Sequence, residues 1–129
     1  MSAWTFTPAD GASKGLLTTL LVLRVLVAAF FVFLAIKNLA GDAQMSADFR
    51  RWGYPDGFRV LTALLQVAGA ALLLFTPIAF FGAALLACVL CGAVWTHFRH
   101  DPAATMLQPA IVLIPVLVFL VAYRPAVLR

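Results

Sequence analysis

Glutamate is absent from this chain, and its only acidic residues are five aspartates. All of them, Asp10, Asp42, Asp48, Asp56 and Asp101, fall outside the apolar runs, so the interior of those runs contains no carboxylate. Paired-carboxylate acid–base chemistry is therefore excluded there. Charge of either sign is scarce, at 11% of residues against roughly 25% in soluble domains. Cysteine is limited to Cys88 and Cys91, both inside one apolar run, which builds no disulfide framework. A Gly-rich phosphate loop and a Ser–His–Asp arrangement are missing too, which argues against phosphoryl transfer and simple hydrolysis.

What is present is apolar: 64% of residues are hydrophobic, and mean hydropathy is +1.04. This composition reads as a single all-α membrane domain whose partner is the lipid bilayer. At about 20 apolar residues per crossing, 129 residues accommodate four spans and little else. The net charge of +4 does not point to nucleic acid, because the basic residues cluster at the ends of apolar runs, where they snorkel toward headgroups. A cleavable signal peptide is disfavoured at the N-terminus, since the apolar core from Leu16 to Ile36 exceeds the expected length of about 7–15 residues.

Punctuation places the spans at about 15–39, 57–75, 78–100 and 102–123. In the connection after the first, Ser46 reads as the cap of a short interfacial helix with Met45, Phe49 and Trp52 on one face, closed by Gly53 and Pro55. Asp56 and Asp101 read as caps of the second and fourth spans, with Thr76-Pro77 between the second and third. Pro109 and Pro115 suggest kinks in the last span. Trp52, Tyr54 and Trp95 mark one interface, Trp4 and Tyr123 the other. Lys37, Arg50, Arg51, Arg59 and Arg99 on one side outnumber Lys14, Arg124 and Arg129 on the other, which favours both termini outside the cytoplasm.

The segments "LRVLVAAFFVFLAIKNL", "FRRWGYP", "LLQVAGAALLLF" and "CGAVWTHF", in that order and spacing, resemble the DoxX-like family of small four-helix integral membrane proteins over about residues 20–123. The resemblance implies roles for Arg24, Lys37, Gly53, Pro55, Gly69 and His97. It also exposes two departures: Ala35 stands where the family often has glycine, and Gln66 where it often has a second-helix glutamate. Relatives are described as subunits of thiosulfate:quinone oxidoreductase, as partners of oxidative-stress enzymes and as assembly helpers. The resemblance thus implies a scaffold with a polar pocket rather than one reaction.

Arg24 is the sharpest anomaly, because a guanidinium inside an apolar span costs about 2.5–3.5 kcal/mol on insertion scales. Counting along each helix places Arg24 and Gln66 both near the midplane, where they could pair, yet a glutamine neutralises nothing. Two readings compete: a snorkelling or carbonyl-bonded arginine, and an anchor for a quinone carbonyl or an acidic amphiphile. Lys37, His97 and Gln108 lie nearer the aromatic interface and, with Trp52, Tyr54 and Arg99, would rim the mouth of a cavity floored by Arg24 and Gln66. His97 there is a candidate for proton uptake; snorkelling and an interfacial hydrogen bond are the plain alternatives for Lys37 and His97.

In "HFRHD", His97, His100 and Asp101 share one side of a helix end, but no second cluster completes a metal site, and none is expected. Cys88 and Cys91 form a Cys-x-x-Cys motif that resembles the thiol pair of the vitamin K epoxide reductase type of bundle, which reduces a quinone. Against redox chemistry, Ala84, Cys88 and Gly92 form one small-residue stripe and Ala83, Ala87 and Cys91 another, as close helix packing requires, and thiols in hydrocarbon supply little thiolate.

The resulting expectation is a multi-pass protein of a bacterial inner membrane, a small subunit without a built-in cofactor. It binds a quinone or similar lipid-soluble ligand through Arg24, Gln66, Lys37, His97, Trp52 and Tyr54, and serves a membrane or peripheral redox partner. The alternative is a non-enzymatic assembly factor or structural subunit. A passive conduit is the third reading and requires a homo-oligomer, since four helices enclose a narrow path.

Overall fold

A computed structural model describes residues 3–8 and 11–129; Asp10 lies outside them. Five α-helices occur among the described residues, without a strand: α1 (Lys14–Leu39), α2 (Ala43–Arg51), α3 (Asp56–Leu74), α4 (Ala79–His100) and α5 (Leu107–Ala122). Four of these, all but the short α2, belong to segments long and apolar enough to cross a membrane. The architecture is an all-α bundle of four long helices with a short helix between the first two.

The helix boundaries differ from the expected caps in three instructive places. Asp42, not Ser46, caps α2, its carboxylate accepting from the Met45 N–H at 3.1 Å. Asp56 is already the first helical residue of α3, behind Pro55, and caps nothing. Asp101 does not cap the fourth span, which starts instead with a 3-10 turn at Ala103–Met106; its carboxylate turns toward α2, as described below. Pro109 falls in the first turn of α5, where its missing N–H has no intrahelical acceptor to lose, so only Pro115 interrupts that helix.

Gly53 ends α2 at φ +86°, a left-handed conformation that side chains with a Cβ disfavour. Its N–H and that of Tyr54 return to the carbonyls of Arg50 and Phe49 at 3.0 and 3.1 Å, satisfying the helix end. The reversal folds Trp52 and Tyr54 back toward the bundle.

The long helices pack in the order α1, α3, α4, α5, with far less contact between α1 and α5. On α1, Leu20, Arg24, Val27, Phe31, Ala35 and Asn38 recur every three or four residues and form the buried stripe. The tightest crossing is between α3 and α4. A Cβ on Gly82 would lie 2.4 Å from the Leu73 backbone nitrogen and 2.8 Å from the Gly69 carbonyl oxygen, so the two backbones touch.

Candidate functional site

The helices held together at Gly69 and Gly82 enclose a cavity of about 410 Å³ between their other halves, completed by the C-terminal half of α1 and the start of α5. Its walls are mostly apolar and aromatic. Helix α2 lies across one end, where Met45, Phe49 and Trp52 line it from the shared face that the sequence suggested. Phe58, Cys88 and Gly92 belong to the lining yet are exposed on the outer surface, so the cavity is a cleft reaching the side of the bundle.

Besides Thr62 and Gln108, polar groups enter this apolar volume at three places. Asn38 Nδ2 donates to Gln66 Oε1 across a long 3.5 Å, and both residues are buried, at 2% and 6% exposure. Asn38 Oδ1 is buried with no hydrogen-bond partner. Higher up, the Thr96 hydroxyl donates to the Gly92 carbonyl at 2.8 Å and accepts from the Tyr54 hydroxyl at 2.6 Å. His97 lines the cavity near the α2 end, packed edge-on against Trp52 with ring centroids 5.2 Å apart.

Behind His97 stands Asp101, whose side chain is almost wholly covered. Its carboxylate accepts from Arg51, from Trp52 Nε1 at 3.1 Å and from His97 Nδ1 at 2.7 Å. An ionised carboxylate only accepts, so Nδ1 is the donor; this assignment leaves Nε2 as a free acceptor whenever the ring is neutral. The Arg51 hydrogen bond, with those of His97 and Trp52, holds the Asp101 carboxyl below the usual range despite its desolvation, and Asp101 in turn raises Arg51. Asp101 thus latches α2 to the end of α4.

The latch has a defined pH sign. A depressed carboxyl contributes fully above the ordinary value near about pH 4 and stops contributing as pH falls through its own lower value. Hydrogen exchange over residues 43–54 is therefore expected to be flat from pH 8 to 5 after correction for intrinsic rates and to accelerate only in stronger acid. Asp101→Asn is expected to accelerate it roughly tenfold at neutral pH; unchanged exchange would show that α2 stays in place without the latch.

Three of the expected cavity residues, Arg24, Lys37 and Arg99, lie elsewhere, Arg99 with its guanidinium 5.6 Å from the Trp95 ring centroid. Arg24 does not meet Gln66 and does not line the cavity. It is 2% exposed and donates from Nη1 to the Leu73 carbonyl and from Nη2 to Thr76 Oγ1, both at 3.0 Å, with its guanidinium 4.7 Å from the Tyr123 ring centroid. The reason is register. In the antiparallel α1–α3 pair Asn38 stands opposite Gln66, and Arg24, about 20 Å earlier on α1, comes level with the far end of the shorter α3. There the negative end of the α3 dipole, a hydroxyl and an aromatic face replace the missing anion. Tyr123, at the end of α5, is correspondingly buried.

Lys37 also points away from the cavity, its Nζ 5.7 Å from the Phe33 ring centroid. Gln66, His97, Trp52 and Tyr54 are brought together, and Gln108 joins them on the lining. Asn38, Thr96 and Asp101 were not singled out for the site by sequence reasoning. Asn38 had a legible signal, because it continues the three-and-four spacing that runs through Arg24, Phe31 and Ala35, whereas Lys37 is one residue off that stripe.

Cys88 lines the cavity and Cys91 does not; both are free and exposed. Of the two stripes, Ala83 and Ala87 are buried in the helix packing, whereas a Cβ on Gly92 meets nothing within 4 Å; the backbones themselves touch at Gly82, outside both stripes. Among the described residues no group of three His, Cys or acidic side chains is gathered as a metal would need.

Four spans around a side-opening, largely apolar cleft with a few polar groups define a small multi-pass integral membrane protein. The DoxX-like family model matches residues 22–120, and the chain belongs to that family. No curated protein and no solved structure matches it.

Proposed function

We propose that the cleft binds a quinone or a closely similar lipid-soluble ring compound, and that the protein serves a redox partner in a bacterial inner membrane with α2 on the cytoplasmic side. The observation that carries this reading is Asn38 Oδ1, a buried acceptor without a donor on the wall of a largely apolar cavity. An unsatisfied buried acceptor costs about 1–3 kcal/mol, which the hydroxyl of the reduced, quinol form would recover, whereas a quinone carbonyl donates nothing to it. The volume of about 410 Å³ suits a small amphiphile.

In this reading Asn38 and Gln66 hold one polar edge of the ring. Their amides offer a donor or an acceptor by rotation and so tolerate either a carbonyl or a hydroxyl. The opposite edge lies toward Tyr54, Thr96 and His97, where His97 Nε2, oriented through Asp101, takes up or returns a proton. The ligand supplies the electron chemistry; the chain binds, orients and excludes water. The greater basic charge on the α2 side supports the orientation.

Titration of the purified protein with decylubiquinone and its reduced form tests the proposal, with solvent extraction of whatever copurifies. Binding to the wild type is expected, weakened about tenfold in Asn38→Leu. Absence of binding, with nothing extracted, would overturn it and favour the assembly-factor alternative.

A further inference from the structure

A second hollow, of about 300 Å³, lies between α2 and the first turns of α3, with Phe49 as the wall it shares with the cleft. Ser46, Phe49, Arg50, Asp56 and Arg59 line it. Arg59 is partly buried, and its Nη1 is shut off from the surface with no hydrogen-bond partner. A buried guanidinium N–H without an acceptor carries an uncompensated desolvation cost. Asp56 does not relieve it, since neither Arg59 nor Arg50 is among the residues forming ion pairs in the described structure.

The charge of the hollow selects its occupant. Two guanidinium groups against one carboxylate leave a single positive charge, which a monoanion balances. Guanidinium forks match the oxygens of phosphate, and the Ser46 hydroxyl adds a neutral donor. Phe49 supplies an apolar wall beside them. The hollow also sits where α3 leaves the amphipathic α2 and begins its crossing, the level at which lipid phosphates lie.

We infer that Ser46, Arg50 and Arg59 bind the phosphodiester of a phospholipid headgroup, and that this lipid holds α2 against the start of α3. The site favours lipids such as phosphatidylglycerol, whose headgroup brings no second cation toward the two arginines. This inference is independent of the ligand proposed for the cleft.

Native mass spectrometry of the full chain, titrated with phosphatidylglycerol or phosphatidylcholine of matched acyl chains, tests it. The wild type is expected to retain one phosphatidylglycerol with about tenfold preference, lost in Arg59→Gln and kept in Arg99→Gln, which makes the same charge change at the same end of the bundle. Arg59→Lys keeps the charge without the fork and is expected to lose about threefold, which keeps the test open if the glutamine variant does not fold. Competition by millimolar inorganic phosphate separates the two sources of the group: displacement supports a phosphate site open to the free ion, and persistence supports the lipid. No preference in the wild type, or equal losses at Arg99 and Arg59, would overturn the assignment.

Discussion

Arg24→Ala is expected to destabilise the bundle by about 3 kcal/mol while leaving occupancy of the cleft unchanged. The truncation strips the Leu73 carbonyl and the Thr76 hydroxyl of their donor and opens a void over the Tyr123 ring, where α1, the α3–α4 connection and the end of α5 meet. Relief of burying a cation offsets part of this loss, but a helix-end carbonyl left bare in hydrocarbon has no water to turn to. Arg24→Lys keeps the charge and offers one ammonium where two nitrogens worked, so it should fall between the two. Thermal melting in detergent, paired with ligand titration, reads both quantities. If Arg24→Ala abolished binding without lowering the melting temperature, the arginine would be a ligand anchor after all.

Gly82→Val is the second large effect. Its first added carbon already meets backbone atoms of Leu73 and Gly69 at 2.4–2.8 Å, and backbone cannot rotate out of the way. The helices must part, at a cost of about 3 kcal/mol, and Leu73 is the residue whose carbonyl receives Arg24. The damage therefore extends to the arginine contact. Gly69→Ala is milder, since the clash is with the Leu86 side chain, and Gly92→Ala is expected to be neutral because its Cβ enters open space. Equal melting temperatures for Gly82→Val and the wild type would show that the crossing is looser than described.

How far the sequence carries a reader differs from element to element. The four long helices and α2 were legible because apolar runs and their Gly and Pro punctuation report one chain segment at a time. The face of α2 was legible for the same reason. Pairings between helices were not. Arg24 and Gln66 each lie near the middle of their own helix, yet α1 has 26 residues and α3 only 19, so midpoints counted separately do not coincide across the pair. Asp101 misled in another way: the residue before a proline reads locally as a cap, whereas its carboxylate is claimed by Arg51 and Trp52 from a distant segment and by His97 one turn earlier. Gly92 belongs to a small-residue stripe and Gly82 to neither, yet the backbones cross at Gly82. The buried stripe of α1 was available throughout, and following it one step past Lys37 reaches Asn38.

The lateral mouth of the cleft, beside Phe58, Cys88 and Gly92, sets the units in which any occupant must be counted. A molecule arriving there through the leaflet searches a plane, and its concentration is a mole fraction among lipids. Dilution of the sample with buffer leaves that fraction nearly untouched, whereas added detergent or lipid lowers it. Apparent affinities measured at different protein-to-lipid ratios should consequently disagree in molar terms and collapse onto one curve when expressed per lipid.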